Sequence, residues 1–242
     1  MANVHFFSDP NIRFKHSLSG LSEQKINSLE IIESIVNVIS PFFENNGFSL
    51  KKQRFFEFDA EGGNKYQYEI LVSKNKEYFS LSLRLNLLNE SLMHSVNGVL
   101  ERVLKDERYK YPPNWSDKDI EGSIKTRLSN STVASLSDWR CFKDGNESLD
   151  EFRKRFSIWM CFFDELDEVG NWREQVIKSA NYSLGWFSAV SNEDWIVENT
   201  FYPSLVILKM KGEDKISSKY KDVLLKSRDK QEVELFFEHL MS

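Results

Sequence analysis

The chain is poor in the side chains on which redox and metal chemistry depend: its 242 residues include two cysteines and four histidines. Cys141 and Cys161 are too few and too isolated for a disulfide framework or a zinc site, which needs about four closely spaced ligands. They read as reduced core thiols, and the apolar run around Cys161 disfavours a thiolate nucleophile there. His5, His16, His94 and His239 are dispersed, and none has a second histidine three to five residues away, as a zinc-binding helix would. No run approaches the roughly 20 apolar residues that span a bilayer. The N-terminal stretch MANVHFFSDPNIRFKH has neither the basic start nor the apolar core of a secretion signal, so a cytoplasmic location is the expectation. A phosphate-cradling loop is also missing, because AEGGNKY (Ala60 to Tyr66) joins two strand patterns and no helix follows it. No fixed-period repeat is evident. These absences exclude a zinc centre, a P-loop and a disulfide scaffold, and no cofactor is implied.

Aromatic residues are abundant: 19 Phe, 8 Tyr and 6 Trp accompany 40% hydrophobic and 29% charged residues, a globular composition able to bury a sizeable core. The net charge of -5 disfavours a general affinity for nucleic acid or anionic membrane, both of which call for a basic surface. It suits a basic protein partner.

From Ser22 to Asn45 apolar residues recur at steps of three and four, which predicts a helix with one buried stripe; Gly47 stands where a left-handed C-terminal residue is expected. Pro41 falls near its end and is expected to kink or tighten the last turn. The period then drops to two. Tyr66, Tyr68, Ile70 and Val72, then Phe79, Leu81, Leu83, Leu85 and Leu87, predict strands with one buried face. DAEGGN (Asp59 to Asn64) and SKNKE (Ser73 to Glu77) read as turns between them, hence an antiparallel meander.

Asn89 is placed to cap a helix carrying Leu92 to Leu104, which YKYPPNW (Tyr109 to Trp115) must end. SIKTRLS and DWRCF alternate well enough to add one or two strands. SLDE at Ser148 has the pattern of a capping box, opening a helix through Trp159 and Met160 to Leu166, and a shorter helix is expected from Trp172 to about Ala180. SNED before Trp195 and DKQE before Val233 repeat the box pattern, with an amphipathic segment from Lys215 to Leu225 between them. The fold class that results is α+β: an antiparallel meander sheet of 4–5 strands, an N-terminal helix packed on it, and a helical C-terminal half. The division falls between 1–143 and 144–242, two lobes expected to pack as one body.

In this order the elements resemble a family of uncharacterised bacterial domains. The residues carrying the resemblance are PFFENNGF (Pro41 to Phe48), YFSLSLRL (Tyr78 to Leu85), DWRCF (Asp138 to Phe142), DEFRKRFSIWMCFFDEL (Asp150 to Leu166) and EVELFFEHL (Glu232 to Leu240). Proteins of this kind look like cargo of variable bacterial loci, so the resemblance implies an immunity protein that neutralises a cognate toxin.

Charge is segregated. Between Asp144 and Glu174 nine acids face four bases, 4 - 9 = -5, and between Lys209 and Lys230 eight bases face four acids, 8 - 4 = +4. Ordinary solvated helix faces account for such runs in most chains. The acidic run Asp164, Glu165, Asp167 and Glu168 is also suited to a cationic protein surface, and Trp172 and Trp186 close by are of the type that anchors interfaces, although a core role is the commoner one. The leading functional expectation is therefore a non-enzymatic binding protein whose partner is a basic toxin domain. The alternative is a metal-dependent nuclease or hydrolase in which Glu57, Asp59, Glu69 and Lys74 of the meander hold Mg2+ and orient water.

Overall fold

The computed structural model describes residues 27–74, 78–137, 159–162, 166–168 and 172–242, with backbone alone at 159–162 and 168. The first element, α1 (Ser28–Asn45), begins where Asn27 accepts from the amides of Leu29 and Glu30 while the Glu30 carboxylate returns to the Asn27 amide. This capping box satisfies amides that the first turn leaves without partners. Ile31, Ile32, Ile35, Val36, Ile39 and Phe43 form its buried stripe, and the helix runs on through an exposed Pro41.

At its end, Phe48 N–H bonds back to the Phe43 carbonyl and Gly47 N–H to that of Glu44, both at 3.0 Å, with Gly47 at φ +81°. This is a Schellman ending, and the hydrophobic contact that accompanies such endings is present: the Phe43 and Phe48 rings meet edge-on at 5.1 Å. A Cβ at Gly47 would lie 3.3 Å from Phe58 Cε2 on a left-handed backbone. Gly47→Ala should therefore cost about 1–2 kcal/mol, measured as a lower urea midpoint at unchanged slope.

Six strands are described after it: β1 (Ser49–Lys51), β2 (Phe55–Asp59), β3 (Lys65–Lys74), β4 (Phe79–Leu88), β5 (Thr132–Leu136) and β6 (Trp159–Phe162). All pairings are antiparallel. β1 to β4 form the meander, while β5 pairs with Leu85 to Leu88 and β6 with Phe79 to Ser82. Because β3 occupies the other edge of β4 along its whole length, β5 and β6 lie end to end and the sheet is five positions wide. The alternating residues of β3 and β4 do face the core: Tyr68, Ile70, Leu81, Leu85 and Leu87 are fully buried. At the β2–β3 turn, Gly62 and Gly63 take positive φ. Asn89 fixes this tip from the far end of β4, its Nδ2 donating to Gly62 O and Asn64 Oδ1 while its Oδ1 accepts from Leu92 N to cap the next helix.

Seven further helices are described: α2 (Glu90–Leu104), α3 (Asp117–Leu128), α4 (Trp172–Val190), α5 (Glu193–Asn199), α6 (Tyr202–Lys211), α7 (Ile216–Lys226) and α8 (Lys230–Met241). The protein is thus an α+β fold with an N-terminal helix and a helical C-terminal half. Several expectations are corrected. SIKTRLS belongs to α3, which a Ser116–Asp119 capping box starts upstream, so its alternation reflects a polar helix and not a strand. Trp159 to Phe162 is strand and not helix: four apolar residues fit either period, and the part of β4 beyond the end of β5 offers a free edge. α4 runs ten residues past Ala180, and its buried stripe continues through Ser183, Phe187 and Val190. At α5 the cap is Asn192, not Ser191, whose hydroxyl instead bonds Ser188 O. DWRCF and Ser148 to Ile158 lie outside the described residues.

Two apolar clusters form the interior. In the first, α1 and α4 lie against the apolar sheet face, and the Tyr68 hydroxyl is hydrogen-bonded to Ser179 Oγ. In the second, α2, α5 and α8 surround α6, whose residues Pro203 to Leu208 are all buried, as in a helix enclosed on every side. Tyr66 and Trp186 touch both clusters, and each cluster draws on residues before and after position 143.

Candidate functional site

The meander carboxylates lie on the polar face of the sheet. Register sets Glu57 opposite Gln67, Asp59 opposite Lys65 and Phe55 opposite Glu69, so Glu57, Asp59 and Glu69 share that face. Glu57 and Glu69 are already engaged, while the Asp59 side chain is 89% exposed. Glu57 accepts from Gln67 Nε2 at 2.8 Å, Asn86 Nδ2 bridges Gln67 Oε1 and Glu69 Oε2, and Arg84 stands 3.6 Å from Glu69. Lys65 lies between Glu57 and Asp59 at 3.7 and 3.6 Å. Lys74 does not join them. Five residues beyond Glu69, it points to the opposite face by parity, about 17 Å along the strand, with its ammonium over the Phe79 ring. Among the described residues no group of three His, Cys, Asp or Glu side chains is arranged to hold a metal ion.

The acidic run leads into α4. Leu166 to Glu168 forms a single 3-10 turn pinned by buried Leu166, while Asp164 and Glu165 lie outside the described residues, as does the Glu168 side chain. Asp167 Oδ1 accepts from Trp172 Nε1 at 2.6 Å and from Arg173 NH1 at 3.0 Å, and the Arg173 guanidinium lies over the Trp172 ring. The indole N–H and then the guanidinium hold the Asp167 carboxyl below the usual carboxylate range, so it stays ionised at neutral pH. With 63% of its side chain exposed, it lines a groove of about 160 Å³ together with Glu30 of α1. Trp172 is 3% exposed and belongs to the first core cluster. Its contribution to this surface is the N–H that orients Asp167. Trp186 is half-buried, edge-on to Phe187 and Trp195 between the two clusters. The structure thus brings Asp167 and Trp172 together and sets Trp186 apart from them.

A third constellation was missed by sequence reasoning. Glu232 is 6% exposed at the start of α8, where its carboxylate receives Arg127 NH2 at 2.6 Å, the Tyr202 hydroxyl at 2.6 Å and the Tyr109 hydroxyl at 2.9 Å. In DKQE only half of the expected box forms: Asp229 accepts from Glu232 N, and the Glu232 carboxylate turns inward. Burial pushes this carboxyl up, but the Arg127 guanidinium and the tyrosine hydroxyls outweigh it and hold the group below its ordinary value. Burial and the adjacent carboxylate push the Tyr109 phenol up to about 12. The cluster ties α3, α6, α8 and the loop after α2 together. Its only sequence signal is a glutamate three residues after an aspartate cap, which also marks ordinary helix starts.

Comparison with protein-family models, curated proteins and solved structures finds no match to this chain.

Proposed function

We propose that this chain is a non-enzymatic cytoplasmic binding protein that neutralises a partner by direct contact, foremost an immunity protein that blocks a cognate bacterial toxin. The observation carrying the reading is Asp167: a carboxylate held ionised and 63% exposed, oriented by Trp172 and paired with Arg173, lining a groove with Glu30 and continuing in sequence the acidic run from Asp164. Orienting a charge in advance lowers the ordering cost of association, and a carboxylate cluster accelerates encounter with a basic surface. The net charge of -5 and the family resemblance support the same reading.

The test is growth protection in cells expressing the product of the neighbouring gene as the candidate toxin. The wild-type chain should protect, and Asp164→Lys with Glu165→Lys should lose protection. Lack of protection by the wild type would overturn the reading. The competing metal-dependent nuclease rests on the shared face of Glu57, Asp59 and Glu69. It would be favoured by Mg2+ binding, measured by calorimetry, that disappears in Glu69→Ala.

A further inference from the structure

A cleft of about 690 Å³ belongs to none of the acidic sites above and has the size of a small-molecule site. Buried Met93, Val96 and Leu100 of α2, Val133 of β5 and Pro203 of α6 give it an apolar lining, which Phe201, 39% exposed, extends. Its hydrogen-bond donors come from one short segment, where α3 gives way to β5. Arg127, Asn130 and Thr132 line the cleft there, tied together by Asn130 N–H to Arg127 O at 3.4 Å and Thr132 N–H to Asn130 Oδ1 at 2.9 Å. The second bond fixes the Asn130 amide, because turning it over would set its NH2 against an N–H donor. Asn130 Nδ2 and the Thr132 hydroxyl are thus donors with no acceptor among the described residues. Arg127 gives one hydrogen of NH2 to Glu232 and one of NH1 to the Tyr109 hydroxyl, and its remaining N–H groups are unspent among the described residues.

The other polar atoms of the lining are already committed. Asn97 spends both amide hydrogens on the carbonyls of Leu128 and Asn130, and its oxygen is buried out of a ligand's reach. Thr126, Ser129 and Thr200 each give the hydroxyl proton to a backbone carbonyl, and Tyr202 gives its own to Glu232. The lone pairs of Thr126 and Ser129, both exposed, stay with water. Arg127 is the single charge among the described lining residues. Its partner Glu232 lies behind it, with a side chain 8% exposed against 33% for Arg127 and no part in the lining, so the ion pair turns its cationic end to the cleft. An anion touching the guanidinium is nearer to that charge than to the Glu232 carboxylate, and attraction at contact outweighs repulsion from further away. It also gains hydrogen bonds strengthened by its charge from Asn130 and Thr132. We propose that this cleft is a binding site for a small organic anion, a monocarboxylate on an apolar body, with the carboxylate on Arg127, Asn130 Nδ2 and the Thr132 hydroxyl and the body against α2.

The experiment titrates the full chain with three probes of one shape and different charge, 3-phenylpropionate, 3-phenylpropionamide and 3-phenylpropylamine, followed by the backbone and side-chain N–H signals of Arg127, Asn130 and Thr132 in 15N-correlated NMR. The acid should shift these signals and bind at least about ten-fold more tightly than the amide, the discrimination expected when a charged acceptor replaces a neutral one. The amine should leave them unmoved. Asn130→Asp keeps an oxygen for Thr132 N–H but puts a negative charge where the NH2 donor stood, and should weaken the acid by at least about ten-fold; if that variant does not fold, the wild-type series decides alone. Arg127 is left in place, since its loss would disturb the fold as well as the site. Equal binding of acid and amide, tighter binding of the amine, an Asn130→Asp variant that binds the acid as the wild type does, or no shift up to about 10 mM 3-phenylpropionate would overturn the proposal.

Discussion

Arg127→Ala should lower the unfolding free energy by about 3 kcal/mol, the lower end of the range for stranding one partner of a buried ion pair. The lower end applies because Arg127 is a third exposed and because Tyr109 and Tyr202 still donate to Glu232 once the guanidinium is gone. The loss should depend on pH. In the wild type the folded Glu232 carboxyl lies below its unfolded value, so its contribution is complete above about pH 4.3 and is lost as pH falls through the folded value. Without Arg127, burial dominates and the folded value rises above the unfolded one. The variant then gains stability as pH falls, because its folded state binds the proton more tightly. The gap between the two proteins should narrow from pH 7 to about pH 4 in urea melts. A gap independent of pH would mean that Arg127 contributes by packing and not by charge. As a control, Lys211→Ala, which breaks the exposed pair with Glu193, should cost less than about 0.5 kcal/mol.

Phe43→Ala should be the more damaging of two adjacent substitutions. Phe43 has no exposed surface, and its ring meets those of Phe48, Phe56 and Tyr68 at 5.1, 4.6 and 4.8 Å. The surrounding sheet and α1 cannot collapse into the space left, so a loss of about 3–5 kcal/mol is expected, with a fall of roughly 10 °C in thermal midpoint. Phe42→Ala, one residue earlier on the half-buried side of the same turn, should cost well under half as much. Similar losses at the two positions would contradict the packing described for the end of α1.

Much of this architecture is legible in the sequence where one period persists. The stripe of α1, the glycine after it, the alternation in β3 and β4 and the cap at Asn89 are each local signals, and each is found in place. What is not legible depends on partners far along the chain. Four apolar residues at Trp159 carry no period of their own, and become strand because β5 leaves half an edge of β4 open. Glu232 looks like any acid in a first helical turn, yet its partners Arg127 and Tyr109 are 105 and 123 residues away. Trp172 shows a milder limit, since beside an acidic run the sequence leaves both a core role, the commoner one, and an interface anchor open. Its ring fills the core while its N–H sets the direction of Asp167.

The central claim is that the acidic surface around Asp167 captures a basic protein. Its most direct test is calorimetric titration of the purified chain with the product of the neighbouring gene, the candidate partner, at about 0.05 M and about 0.5 M salt. A one-to-one complex should form, weaken at the higher salt, and weaken again in the Asp164→Lys and Glu165→Lys double variant. No heat of binding at either salt concentration, or an affinity indifferent to both salt and charge reversal, would contradict it.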